Sequence, residues 1–179
     1  MARKEIRLSD LVDALDSIES EYADFFRPML GYEAVLKLYE GIEDSVEPLI
    51  NELEDETSFE CPPDLLAFYM NTNGGTFGDL ELYAFSDKNN DYTIHRLNVL
   101  NKDLKQSIGL DNSSILVGKY TFNDNYVIVK LEDGKYVYQL YDGKAQQPKM
   151  NFEYLIQLVA LEVSYVTDYD GFMDFEDEE

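Results

Sequence analysis

The run SILVGKYTFNDNYVIVKLEDGKYVYQLYDG, residues 114–143, constrains this chain more than any other stretch. It holds three segments rich in Val, Ile, Leu and Tyr, the residues that suit a pleated surface. Asn123-Asp124-Asn125 joins the first two. Asp133-Gly134, able to adopt the positive φ angles of a tight turn, joins the second and third. Two successive hairpins are expected. Upstream, from Gly78, the apolar period is also two: Leu80, Leu82 and Ala84 alternate with Glu81, Tyr83 and Phe85. DYTIHRLNV reads as a further strand and NKDLKQSIG as a short helix.

The remaining segments carry a helical period. Leu11, Leu15, Ile18 and Tyr22 share one face, with Ser9 as the expected N-cap. Val35, Tyr39, Ile42, Val46, Leu49 and Leu53 form a second stripe. Pro48 lacks the donor that a helix interior needs, so two helices split near Asp44–Pro48 are expected, Ser45 capping the second. At the C-terminal side, NFEYLIQLVALEV offers Asn151 as a cap and Phe152, Leu155, Ile156, Val159 and Val163 as a buried face.

CPPDLLAFYMNTNGG, residues 61–75, poses a functional question, because a glycine pair either cradles a phosphate or turns the chain. Pro62 or Pro63 suits a first helical turn, and Asp64 suits the positive helix end. The spacing predicts a helix over about 63–72 with Leu65, Phe68 and Tyr69 buried, ended by Asn73-Gly74-Gly75 with Gly74 or Gly75 left-handed. Phosphate loops place glycines before a helix, where N–H groups face the anion. Here they follow it. The phosphate reading fails.

Charge narrows the partners. The net charge is −23, and it is unevenly spread: residues 1–60 hold 5 basic and 17 acidic side chains, residues 61–167 hold 9 and 13, and the last twelve residues hold 7 acids and no base. Nucleic-acid binding requires cationic groups that displace counterions, so direct binding is not expected. Anionic membrane surfaces are disfavoured for the same reason. A basic protein partner is the electrostatic complement; simple solubility is the plainer explanation of the acidity. A hydrophobic content of 45% argues for a folded globule. No apolar run reaches the roughly 20 residues of a membrane span, the N-terminus lacks a secretory h-region, and one cysteine forms no internal disulfide. The cytoplasm is the expected compartment.

Catalytic chemistry finds little to work with. One His and one Cys exclude the Cys/His zinc sets. Asp87–Asp91, DKNND, imitates the start of a calcium loop, but Tyr92 stands where glycine is needed and Asn98 where a bidentate Glu belongs; a polar turn is expected. His95 has no G-x-S-x-G partner motif, and a Cys61–His95 dyad requires the fold to bring them together. Carboxylate pairs are too numerous to sort without separations. Fourteen tyrosines invite an interface reading, although most, including Tyr126, Tyr136 and Tyr138, lie in strands. No catalytic residue, metal or cofactor is expected.

Pro62, Phe68 and Asn73-Gly74-Gly75, followed by Gly78, Leu80, Leu82 and Tyr83, resemble the signature of the SUKH superfamily (Smi/Knr-like proteins). The central hairpins and the closing NFEYLIQLV helix keep its order over about residues 45–165. Cys61 replaces the usual leucine, and residues 1–44 have no counterpart. The resemblance implies an α+β fold, an antiparallel or mixed sheet packed on helices, without known catalysis. The chain is expected to divide into a helical N-terminal extension (1–44), a SUKH-like domain (45–167) and an acidic tail (168–179), disordered on its charge run. Bacterial members resemble immunity proteins that bind polymorphic toxins, often nucleases; fungal relatives are regulatory or scaffold proteins with several partners. The first reading is therefore a non-catalytic cytosolic immunity protein that binds a basic toxin domain, and the alternative a regulatory scaffold. With one sheet face covered by helices, Glu81 and Tyr83 point outward beside Asp79, Asp87 and Asp91. That patch is the expected partner site, Tyr83 as anchor and the acids steering.

Overall fold

The computed structural model describes residues 5–17, 21–30, 37–40, 51–55, 60–77, 79–84, 97–121 and 123–166. The architecture is α+β. Strands β1 (Glu5–Ile6), β2 (Lys37–Glu40), β3 (Thr72–Phe77), β4 (Leu80–Leu82), β5 (Ser114–Tyr120), β6 (Tyr126–Glu132) and β7 (Lys135–Tyr141) form one sheet in chain order. Every neighbouring pair is antiparallel. The helices are α1 (Leu8–Ser17), α2 (Ala23–Phe26), α3 (within 51–55), α4 (Pro63–Asn71), α5 (Leu97–Asp103) and α6 (Phe152–Val166).

Both expected hairpins are present. Asp133 and Gly134 take φ 50° and 76°, and Glu132 pairs with Lys135 across the turn. Because facing residues share a side, the registers sort the sheet into two surfaces. Phe77, Leu80, Leu82, Ile115, Val127, Val129 and Tyr138 fall on one, all buried. Helix α6 crosses this surface from β7 to β3, α4 packs on β3, and α1 and α2 lie against α4 and α6. Phe68 of α4, 1% exposed, meets Phe77 at 6.5 Å and Phe152 at 6.1 Å between ring centroids.

The other surface is covered too. Helix α5 packs on β5, and the Tyr141 hydroxyl donates to the Ile108 carbonyl (3.0 Å) in the turn that follows α5. Short β4 pairs only with Gly118–Tyr120, so the edge of β5 at Leu116 would lie bare. Asn101 of α5 fills the gap. Its Oδ1 accepts the Leu116 N–H and its Nδ2 donates to the Leu116 carbonyl, both at 2.8 Å, as a neighbouring strand would. The outer edge of β7 is closed by Met150, which exchanges two 2.8 Å backbone bonds with Tyr138.

Several sequence expectations need correction. Residues 37–40, placed on a helical stripe with Tyr39, are β2, because an edge beside β3 claims their backbone. The N-terminal segment is therefore not purely helical, and Leu8, Leu11, Leu15 and Phe26 join the same core as Leu65 and Phe68. Ser9 lies inside α1; the Asp10 carboxylate instead accepts the Arg7 N–H at 2.9 Å. Tyr22 precedes α2 rather than continuing α1. Leu97–Val99, given to a strand, begin α5.

The glycine motif also differs in kind. Pro62 precedes α4 and Pro63 opens it, as expected, but the helix stops at Asn71, with Thr72 already extended. Asn73, Gly74 and Gly75 lie inside β3. Gly74 has φ +72°, and a Cβ there would stand 2.5 Å from the Leu82 carbonyl oxygen. Glycine is required for close strand approach, not to end the helix. In α6, the Tyr154 N–H donates to Asn151 Oδ1 at 2.9 Å, the expected cap. Ser45, Pro48, Val163 as a buried side chain and the tail 168–179 fall outside the described residues.

Candidate functional site

The expected acidic-aromatic patch does not assemble as drawn. Asp79 is exposed in the β3–β4 turn, where its N–H donates to Glu162 (3.2 Å) and its carbonyl accepts the Thr121 N–H (2.8 Å). Glu81 is only part-exposed, and its Cα lies opposite that of Lys119. Tyr83 is 2% exposed. Burial first, then nearby Glu81 and Tyr126, push its phenol pKa up. Its outward presentation is overturned, because the structure covers both sheet surfaces rather than one. Asp87 and Asp91 lie outside the described residues, as does His95.

Cys61 is buried, and burial followed by the Glu54 charge raises its thiol to about 12. A thiol so protonated supplies no thiolate at neutral pH. Among the described residues no group of three or more His, Cys, Asp or Glu is arranged to hold a metal ion. No helix among them is long and apolar enough to cross a membrane.

What the fold does organise is charge. The described residues of α1 to α4 and their connections carry acids at Asp10, Asp13, Asp16, Glu21, Asp24, Glu52, Glu54, Asp55, Glu60 and Asp64 against Arg7 and Arg27. Arg27 is already engaged: it donates to Asp16 at 2.6 and 3.0 Å and to Asp24 at 3.4 Å. Its hydrogen bonds hold the exposed Asp16 carboxyl below the ordinary value. Of the described lysines, Lys119, Lys130, Lys135, Lys144 and Lys149 lie in the β5–β7 hairpins and the segment after them, while Lys37 is in β2, Lys102 in α5 and Lys105 in the turn that follows it. Lys130 and Lys149 both grip Glu132, lowering that carboxyl's pKa, and Lys119 approaches Asp124 at 3.9 Å. The helical layer is thus the anionic side.

Within that layer three chain segments converge on an aromatic corner. Tyr22 stands edge-on to Phe152, with centroids 5.2 Å apart and planes at 76°, and Tyr138 packs on the same Phe152 at 5.6 Å. Asp64 is in the first turn of α4 and Glu153 in the first turn of α6. Burial, then Asp64, Glu21 and Glu153, raise the Tyr22 phenol to about 12. The Tyr138 hydroxyl is buried, the residue 1% exposed, and no hydrogen-bond partner meets it. Burial, then Cys61 and Asp64, hold its phenol pKa well above the ordinary value.

Sequence reasoning missed this corner. Asp64 was legible as a helix-start acid, yet nothing in the sequence places the starts of α4 and α6 beside Tyr22. Compared with known proteins, the chain matches no family model, and no curated protein matches it.

Proposed function

We propose that the protein is a non-catalytic binding module, a cytoplasmic immunity-type protein of the SUKH (Smi/Knr-like) kind that neutralises a basic toxin domain by direct contact. The observation that carries this reading is the charge of the described α1–α4 segments, where ten carboxylates stand against Arg7 and Arg27, the latter already ion-paired. The acidic residues 168–179 add further negative charge to the chain. The resemblance of Pro62, Phe68, Asn73, Gly74 and Gly75 to the family signature supports the same reading.

The physics is competition. A nuclease or similar toxin needs a cationic surface to hold phosphates. An acidic protein reaches that surface quickly, since complementary fields raise the association rate, and salt weakens the attraction. The expected contact side is the α1–α4 layer rather than Glu81 and its neighbours. Co-expression with the toxin encoded beside it is the test. Host protection together with a complex that dissociates as salt rises supports the reading; neither protection nor a complex overturns it.

A further inference from the structure

We propose that residues 97–110, α5 with the turn after it, form a strap that opens as a unit while the rest of the sheet stays folded, freeing the Leu116 main chain and the Tyr141 hydroxyl. The device goes beyond the binding reading and does not depend on it.

The inner face of the strap differs from the rest of the core. Leu97, Asn101 and Lys105 lie four residues apart on one helical side, and all three are buried. Two of them are polar. Leu100, Leu104 and Ile108 are only half-buried. On the opposite sheet surface α4 buries Leu65, Phe68 and Tyr69, and α6 buries Phe152, Leu155, Ile156 and Val159. Apolar burial holds an element down in proportion to its area, so the strap is the weakly held one.

What fastens the strap is mostly polar. The Leu97 N–H donates to the Ala84 carbonyl (2.6 Å), Asn101 bonds both main-chain groups of Leu116 (2.8 Å each), and the Ile108 carbonyl accepts the Tyr141 hydroxyl (3.0 Å). Opening exchanges such bonds for bonds to water, so each resists it only modestly. Lys105, between Asn101 and Ile108 in the chain, works the other way. Its side chain is buried and its Nζ meets no hydrogen-bond partner. An ammonium group is costly to hold out of water without a partner, and opening returns it to water. Gly109, at φ +79°, gives the far end of the strap a joint that can take new backbone angles.

Native-state hydrogen exchange of the full chain, read amide by amide as urea is added, tests the strap. The Leu104, Lys105, Leu110 and Leu116 amides are bonded in the closed strap. Their protection should be about tenfold or more below that of the Val129 amide, and it should respond weakly to urea, since a partial opening exposes little surface. Lys105→Met removes the stranded charge and should raise the protection of these four about tenfold. Phe68→Leu loosens the core around α4 and should lower the protection of Val129 several-fold while leaving the four unchanged, because α4 stays seated when the strap opens. Exchange of the four at the Val129 level, with the same steep urea dependence, overturns the strap. Unchanged protection of the four in Lys105→Met, or a loss at them in Phe68→Leu equal to that at Val129, overturns it as well.

Discussion

The Tyr69 hydroxyl on α4 donates to the main-chain carbonyl of Tyr83, 2.5 Å away at the end of β4. Both residues are fully covered, so the bond ties the helix that carries Phe68 to the strand it sits beside. Tyr69→Phe keeps the ring and removes this donor to the buried Tyr83 carbonyl. Urea unfolding should show a loss of about 1–3 kcal/mol. Phe68→Ala, one residue away, should cost about 3–5 kcal/mol through the cavity among Phe77, Phe152 and Tyr69. A Phe68→Ala protein as stable as wild type would mean that α4 is not seated as described.

Three glycines separate two physical effects. A Cβ on Gly118 would stand 2.3 Å from the Glu81 carbonyl oxygen, where backbone must move. Gly134 has φ +76° and open space around it. Gly74 combines both conditions. Alanine should therefore cost about 1–2 kcal/mol at Gly134 from the left-handed backbone. At Gly118 it should cost about 1–3 kcal/mol from overpacking. The largest loss belongs at Gly74. Thermal unfolding of the three variants checks the order, and a Gly74→Ala midpoint at or above that of Gly134→Ala contradicts it.

Asn101 is 3% exposed and acts as a substitute strand for Leu116. Asn101→Leu would strand a buried N–H and a buried carbonyl together, at a cost of about 2–4 kcal/mol. Hydrogen exchange gives a sharper readout: the Leu116 amide should lose protection in that variant while the Val129 amide, on the β6 side of the sheet, keeps it. Unchanged exchange at Leu116 would show that the edge is covered by something else.

Lys105 is 1% exposed, and its Nζ meets no hydrogen-bond partner. Burial lowers its pKa from 10.5, with Asp111 opposing the shift. The folded chain thus releases this proton at lower pH than the unfolded chain. Between the lowered value and 10.5 the unfolded state binds more protons, so this group makes stability rise with pH across that window. Below the window the cost of burying the charge is present in full. Lys105→Met should accordingly stabilise by about 1–3 kcal/mol at neutral pH. The advantage should shrink as the pH climbs toward 10.5. Denaturant melts of both proteins at neutral and alkaline pH decide it; a constant or growing advantage would contradict the assignment.

Local chemistry made the hairpins, α4 and α6 readable. Asp133-Gly134 can take positive φ without help, Pro63 and Asp64 favour a helix start, and Asn151 caps its own helix. These effects act within a few residues, so they are present in the sequence. The overall acidity was readable in the same way. Pairing and coverage were not. Lys37–Glu40 carries a helical pattern yet extends, because the free edge of β3 supplies backbone partners that no local window contains. Tyr83 alternates like an outward residue yet is buried, because α5 covers the second sheet surface. Gly74 reads as a helix stop, but Leu82 eight residues later is what forbids a side chain there. Tyr22, Tyr138 and Phe152, far apart in sequence, meet only because α6 packs against β7 and α2. Sequence by itself determined which segments can turn, coil or extend and where the charge lies. Tertiary structure decided which faces are buried and which distant side chains meet, since those depend on contacts between segments and not on any one of them.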